Sequence, residues 1–151
     1  MKADADTEIE RLRAFFSRTP RVHERQLDIL QRLYSHFYDA QGLFQRMTAS
    51  LRVAGEISPE EYESKVAAEM EAARVELSQG KLFIPAALAQ HCDSFFNAVF
   101  QGRLDFSLAH NSMLDPTQRS KFWTSAATVA HQEVPKILQQ IDEAARAVMH
   151  G

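Results

Sequence analysis

The chain is poor in the residues that build covalent frameworks and catalytic loops. Its 151 residues include one cysteine, Cys92, and only 5 glycines. A single cysteine cannot form a disulfide or a cysteine-based zinc site within one chain. Five glycines scattered singly do not make a phosphate-binding loop, a dinucleotide-binding motif or a nucleophile elbow. We therefore expect no enzyme activity and no cofactor.

The chain also lacks any long apolar run. No stretch approaches the roughly 18 uninterrupted apolar residues that a membrane span needs, and residues 1–6 are too polar for a secretory signal. A net charge of -3 provides no cationic excess to attract nucleic-acid phosphates. We expect a soluble cytoplasmic protein with no membrane span, and the charge disfavours nucleic acid as a partner.

Helix-forming residues, in contrast, recur along the whole chain. Hydrophobic residues make up 45% and charged residues 25%, as in ordinary folded domains, and apolar positions return every three or four residues. Short turns between long helices require neighbouring helices to run antiparallel. The pattern predicts an all-α antiparallel helical bundle of four principal helices plus a short N-terminal amphipathic helix. We expect one domain over residues 1–151, divided into the N-terminal helix at 1–19 and a bundle core at 20–151.

Local signals set the expected helix boundaries. Thr19, Ser58 and Asp115 each precede a proline, and a capping side chain followed by proline is typical of a helix start. The apolar spacing continues from each start until a glycine or a polar turn interrupts it. The expected helices cover residues 4–17, 21–53, 59–79, 85–108 and 116–150.

Three residues inside these segments disturb regular helix. Gly42 costs about 1 kcal/mol relative to alanine, which indicates either a kink or the close approach of another backbone, and we expect the close approach. Gly102 either ends or bends its helix. Pro135 lies where the apolar spacing stays in phase on both sides, which predicts a kinked helix that continues.

Few residues are spaced for chemistry. Cys92 shares an apolar stripe with Leu88 and Phe95, which favours a buried structural thiol over a nucleophile. None of the six histidines belongs to a Glu-x-x-His motif or to a histidine pair four residues apart, so we expect no metal site. The glutamates of residues 59–79 are typical of a solvated helix face.

The N-terminal segment is one candidate surface for a partner. It combines an apolar stripe with arginines and ends at Thr19, where it could be removed without cutting the bundle core. Such a segment suits docking on a protein or, alternatively, on phosphates or an acidic membrane surface. The candidate partner-binding residues are Ile9, Leu12, Phe15, Phe16, Arg11 and Arg18.

A second candidate site lies between the aromatic helix of residues 85–108 and the last helix. Aromatic side chains at helical spacing usually form core, but they can also enclose a small apolar ligand. The candidate pocket residues are Phe96, Phe100, Trp123 and Val134.

Together these features favour a non-enzymatic protein-interaction or scaffolding bundle that binds a protein partner or associates with itself. Two alternatives remain. One is a sensor or binding domain for a small apolar ligand, and the other is salt-sensitive binding of phosphates or a membrane surface through the N-terminal arginines.

Overall fold

A computed structural model describes residues 7, 9–11 and 20–150 of the chain. Regular structure in these ranges is entirely helical, which confirms the predicted all-α fold. None of the helices described there is both long and apolar enough to cross a membrane. The helices are α1 (Pro20–Met47), α2 (Pro59–Gln79), α3 (Ala86–Ala109), α4 (Pro116–Thr128) and α5 (Val134–His150).

Two short segments complete the helical structure of residues 20–150. A 3-10 turn at Lys81–Phe83 leads from α2 towards α3. A π-turn at Val129–Glu133 joins α4 to α5, so that the predicted last helix is one continuous rod with a local change of winding.

Helices α1 and α2 run antiparallel. His36 Nδ1 lies 2.7 Å from Glu69 Oε2, and Arg32 Nε lies 3.7 Å from Glu76 Oε2. The later residue of α1 contacts the earlier residue of α2, so the two helices run in opposite directions.

Helix α3 runs parallel to α1 across the centre of the bundle. The ring centroids of Phe37 and Phe95 are 4.4 Å apart. Seven residues later in both helices, the Phe44 ring lies against Gly102. Both phenylalanines of α1 are fully buried, so this pair of contacts forms the middle of the core.

Helix α4 returns antiparallel to α3. Ser125 Oγ donates a hydrogen bond of 2.7 Å to Asp105 Oδ2, and the rings of Trp123 and Phe106 lie 6.0 Å apart. With α4, the π-turn and α5 counted as one rod, the four principal helices alternate in direction, as the antiparallel bundle prediction requires.

Side-chain caps open two helices where the sequence predicted them. Ser58 accepts a hydrogen bond of 3.2 Å from the Glu61 backbone N–H. Asp115 and Gln118 form a reciprocal capping box at the start of α4. Each cap satisfies backbone donors that have no partner within the helix.

The first principal helix ends earlier than predicted. Helix α1 stops at Met47 instead of near residue 53, and Leu51 and Val53 are exposed. Thr48 Oγ1 donates back to the Phe44 carbonyl, 3.0 Å away. Apolar residues continue at helical spacing through the loop, but they face solvent and so contribute no burial.

The prediction for Gly42 was wrong, and the close approach occurs at Gly102 instead. Open space surrounds the position where a Gly42 Cβ would stand. Gly102 lies within α3, where a Cβ would overlap the Phe44 ring and stand 3.0 Å from Val129. Gly102 therefore neither ends the helix nor lies on its surface, and it lets α1 and the π-turn pack against α3.

The helix continues through Pro135, as predicted, and the π-turn lies directly before it. The Val134 N–H donates to the Val129 carbonyl, five residues earlier. In the same π pattern the Ala130 carbonyl would take its hydrogen bond from residue 135, and proline has no N–H to give. Ala130 is buried, and Gln45 Nε2 of α1 donates to its carbonyl at 3.4 Å.

We predict that Gln45→Ala lowers the free energy of unfolding by about 1 kcal/mol, because a buried carbonyl loses its donor. In a Pro135→Ala background the same change should cost clearly less, since residue 135 then supplies an N–H. Urea denaturation of the two single variants and the double variant measures this coupling. Equal costs in both backgrounds would contradict the assignment.

Candidate functional site

An open groove separates α2 from α3. Helix α2 packs extensively against α1 but makes few contacts with α3, its next neighbour in the chain. The resulting space has a volume of about 590 Å³. We call it the α2–α3 groove, and its lining residues are Ala67, Met70, Glu71, Arg74, Phe96, Asn97, Val99, Phe100 and Arg103.

Large apolar side chains are exposed at this groove. Phe100 on its wall is 65% exposed, and Leu104, one helical turn later on the same side of α3, is 46% exposed. On α2, Val75 follows Glu71 by one turn and is 45% exposed. An apolar surface that lines a depression is typical of a site where another molecule docks.

Three charged residues line the groove: Glu71 and Arg74 on α2 and Arg103 on α3. Glu71 and Arg74 form an ion pair on α2. Arg103 Nη2 of α3 lies 3.8 Å from Glu63 Oε1 of α2, which is too long for a hydrogen bond. The Arg103 Nε is buried and has no hydrogen-bond partner. The lining thus carries one carboxylate and two guanidinium groups, and each arginine has a carboxylate of the same chain within 4 Å.

Comparison of the chain with protein-family models, curated proteins and solved structures gave no match.

The structure does not bring the four residues of the predicted apolar pocket together around one space. Val134 is 0% exposed, so it borders no space that would admit even a water molecule. Trp123 packs against Phe106. Phe96 and Phe100 do share a groove, but it faces α2 instead of the last helix. The four residues lie in three different surroundings because Phe96 and Phe100 belong to α3, Trp123 to α4 and Val134 to the start of α5.

The N-terminal candidate surface lies mostly outside the described residues. Ile9 and Arg11 are helical and exposed. The other four candidates, Leu12, Phe15, Phe16 and Arg18, fall outside the described ranges, so this surface stays a prediction.

Sequence reasoning missed the α2–α3 groove, although a signal was present. The buried stripe of α3 passes through Cys92, Phe95 and Val99, and Phe100 is displaced from Val99 by about 100° around the helix. An aromatic residue off the core stripe, followed four residues later by Leu104, marks a second apolar face.

Cys92 is a buried thiol, in agreement with its position on the apolar stripe. Burial, with a smaller contribution from the neighbouring Asp93 carboxylate, raises the pKa of the Cys92 thiol from 9.0 to about 12. The thiolate is the reactive form of cysteine, so this residue is protected from alkylation and oxidation at neutral pH.

We predict that Cys92 reacts with a disulfide reagent such as DTNB only after unfolding. Because the chain has one cysteine, the thionitrobenzoate signal reports this residue alone. The labelled fraction should rise with urea in parallel with the loss of helical circular dichroism. Fast labelling of the native protein would show that the thiol is accessible.

A polar cluster around Glu56, also missed from the sequence, fixes the loop between α1 and α2. Glu56 Oε1 accepts hydrogen bonds of 2.7 Å from both Arg46 Nε and Tyr62 Oη, and Glu56 Oε2 accepts one of 3.0 Å from the Val53 N–H. The Glu56 side chain is only 6% exposed. The Val53 N–H, the Tyr62 hydroxyl and the Arg46 guanidinium lower the Glu56 pKa from 4.5 to about 2.

This cluster ties the loop to both helices that it joins. The Glu56 carboxylate raises the pKa values of Arg46 and Tyr62 through hydrogen bonds. Arg52 adds a contact, with its guanidinium carbon 5.7 Å from the centre of the Tyr62 ring. The Glu56 carboxylate thus accepts hydrogen bonds from α1, from the loop and from α2, which indicates a structural role.

We predict that Glu56 stabilises the fold at neutral pH and that this contribution disappears in acid. Its folded pKa lies below its unfolded value, so the stabilisation is complete above about pH 4.5 and is lost as the pH falls towards 2. Glu56→Gln should lower Tm at pH 7 and flatten the dependence of Tm on pH over that window. The matched control is Glu133→Gln, which replaces an exposed carboxylate and should leave the profile unchanged. Parallel profiles for Glu56→Gln and the unsubstituted protein would contradict this role.

Metal chemistry has little geometric support in the part of the chain described. The closest histidine–carboxylate contact is the pair of His36 and Glu69, at 2.7 Å. Within residues 20–150 and the described part of the N-terminal segment, no three His, Cys, Asp or Glu side chains are placed to hold a metal ion.

Proposed function

We propose that this chain is a non-enzymatic protein-interaction bundle that binds its partner in the α2–α3 groove. The observation that carries the proposal is the exposure of Phe100 beside a groove of about 590 Å³. An exposed aromatic residue at a depression supplies the large apolar contact that interface hot spots use.

The groove also has the composition of an interaction surface. Its lining combines apolar side chains, with Met70 and Phe96 on opposite walls, and the two arginines Arg74 and Arg103. An apolar centre within a polar rim is the usual arrangement of protein interfaces, and arginine is enriched there. A groove whose two walls are helices suits the insertion of a further helix.

Two other uses of the fold receive less support. The alternative of a small apolar ligand has less support, because Val134 is enclosed in the core and Phe100 is on the surface. Binding of phosphates or membranes through the N-terminal arginines depends on residues outside the described ranges.

The proposal is tested by placing a photo-crosslinking phenylalanine analogue at position 100 in cells that normally make the protein. We predict a discrete protein adduct after irradiation. Leu104→Glu should lower the yield of this adduct, because it places a carboxylate in the apolar surface. The matched control position is Met149 of α5, an apolar residue that is 41% exposed and lies outside the groove. Absence of an adduct at position 100, or identical patterns at both positions, would refute the proposal.

A further inference from the structure

We infer that residues 48–54 have a second, helical conformation that lengthens α1 by about two turns, and that the hydrogen bonds of the Glu56 carboxylate hold them as a loop instead. The inference concerns the loop between α1 and α2 and does not depend on the proposed function. The sequence of the loop, the neighbouring helices and the hydrogen bonds of Glu56 support it.

The loop has the sequence of a helix with its terminator. No glycine or proline occurs between Met47 and Gly55, and four of the seven residues 48–54 are alanine, leucine or arginine, which favour helix. Gly55 has a φ of 80°, the left-handed conformation that commonly follows the last residue of a helix. A longer α1 would therefore end at Ala54 with its terminating glycine already in the required conformation.

Helix α3 continues beyond the present end of α1. Phe44 lies against Gly102, and the two helices are parallel. Seven residues further along both helices, Leu51 of a longer α1 would be level with Ala109, the last residue of α3. Met47, four residues before Leu51, is fully buried, so Leu51 would continue the buried side of α1. In the loop Leu51 is 81% exposed, so the longer helix would remove apolar surface from water.

The connection to α2 is long enough for this change. Arg46 of α1 and Tyr62 of α2 donate to the same Glu56 oxygen, so α2 begins beside the present end of α1. Seven added residues lengthen α1 by about 10 Å, and packed helices lie about 9 Å apart. The five steps from Ala54 to Pro59 cover up to about 17 Å, which exceeds the roughly 14 Å to be bridged.

The hydrogen bonds of Glu56 exclude the longer helix. Glu56 Oε2 accepts from the Val53 N–H, and Oε1 accepts from Arg46 and Tyr62. In a longer α1 the Val53 N–H would instead donate to the Ala49 carbonyl, four residues earlier. One N–H thus has two competing acceptors, and the charged carboxylate is the stronger one. Removal of that carboxylate leaves the helical hydrogen bond without a competitor.

Nuclear magnetic resonance of the full chain tests the inference, because Cα chemical shifts distinguish helix from loop at each residue. Glu56→Ala should raise the population of the longer helix at least about tenfold, since a hydrogen bond to a charged group shifts such an equilibrium by that factor or more. The shifts of residues 48–54 should then move towards helical values. Glu143→Ala, which replaces an exposed carboxylate of α5, is the matched control and should leave them unchanged. Shifts in Glu56→Ala that stay at loop values, or move to those of an unstructured chain, would overturn the inference.

A second substitution distinguishes the longer helix from a loop that has merely loosened. Glutamine has nearly the same helix propensity as leucine. In the Glu56→Ala background Leu51→Gln should lower the population of the longer helix at least about threefold, because this side chain packs on the core only in that form. Equal populations with leucine and glutamine at position 51 would count against the inference.

Tyr62→Phe decides the question if Glu56→Ala does not fold. This change keeps the ring and removes one hydrogen bond to the carboxylate. The shifts of residues 48–54 should move in the same direction as in Glu56→Ala, by a smaller amount. Unchanged shifts in Tyr62→Phe would then refute the role assigned to Glu56.

Discussion

The fold depends on the contact between α1 and α3 at the centre of the bundle. Phe37 lies against Phe95, and Phe44 occupies the space that a Gly102 side chain would need. These contacts join helices that are far apart in sequence and hold them in parallel. The other helices attach to this pair, with α2 packed on α1 and α4 packed on α3.

The position of the α2–α3 groove follows from that arrangement. Helix α2 makes most of its helix–helix contacts with α1, so few contacts hold it against α3. The separation leaves Phe100 and Leu104 exposed on α3, while the other side of the same helix is buried through Phe95 and Val99. One helix therefore contributes both to the core and to the candidate interaction surface.

The features that the sequence predicted correctly are those that depend on residues close together in the chain. The caps at Ser58 and Asp115 are local hydrogen bonds, and the fate of Cys92 follows from its apolar stripe. The end of α1 could not be predicted in the same way, because Leu51 and Val53 keep helical spacing in a loop that Glu56 holds. The groove was missed because the distance between two helices depends on packing elsewhere in the bundle.

The π-turn between α4 and α5 has a consequence for how the last rod meets its neighbours. Each residue added to or removed from a helix rotates everything beyond it by about 100°. The widened turn at Val129–Glu133 therefore resets the orientation of α5, which packs on both α3 and α1, whereas α4 packs mainly on α3. The number of residues in this short segment sets the rotation of α5 about its own axis. A one-residue deletion there would turn the apolar side of α5 away from the core.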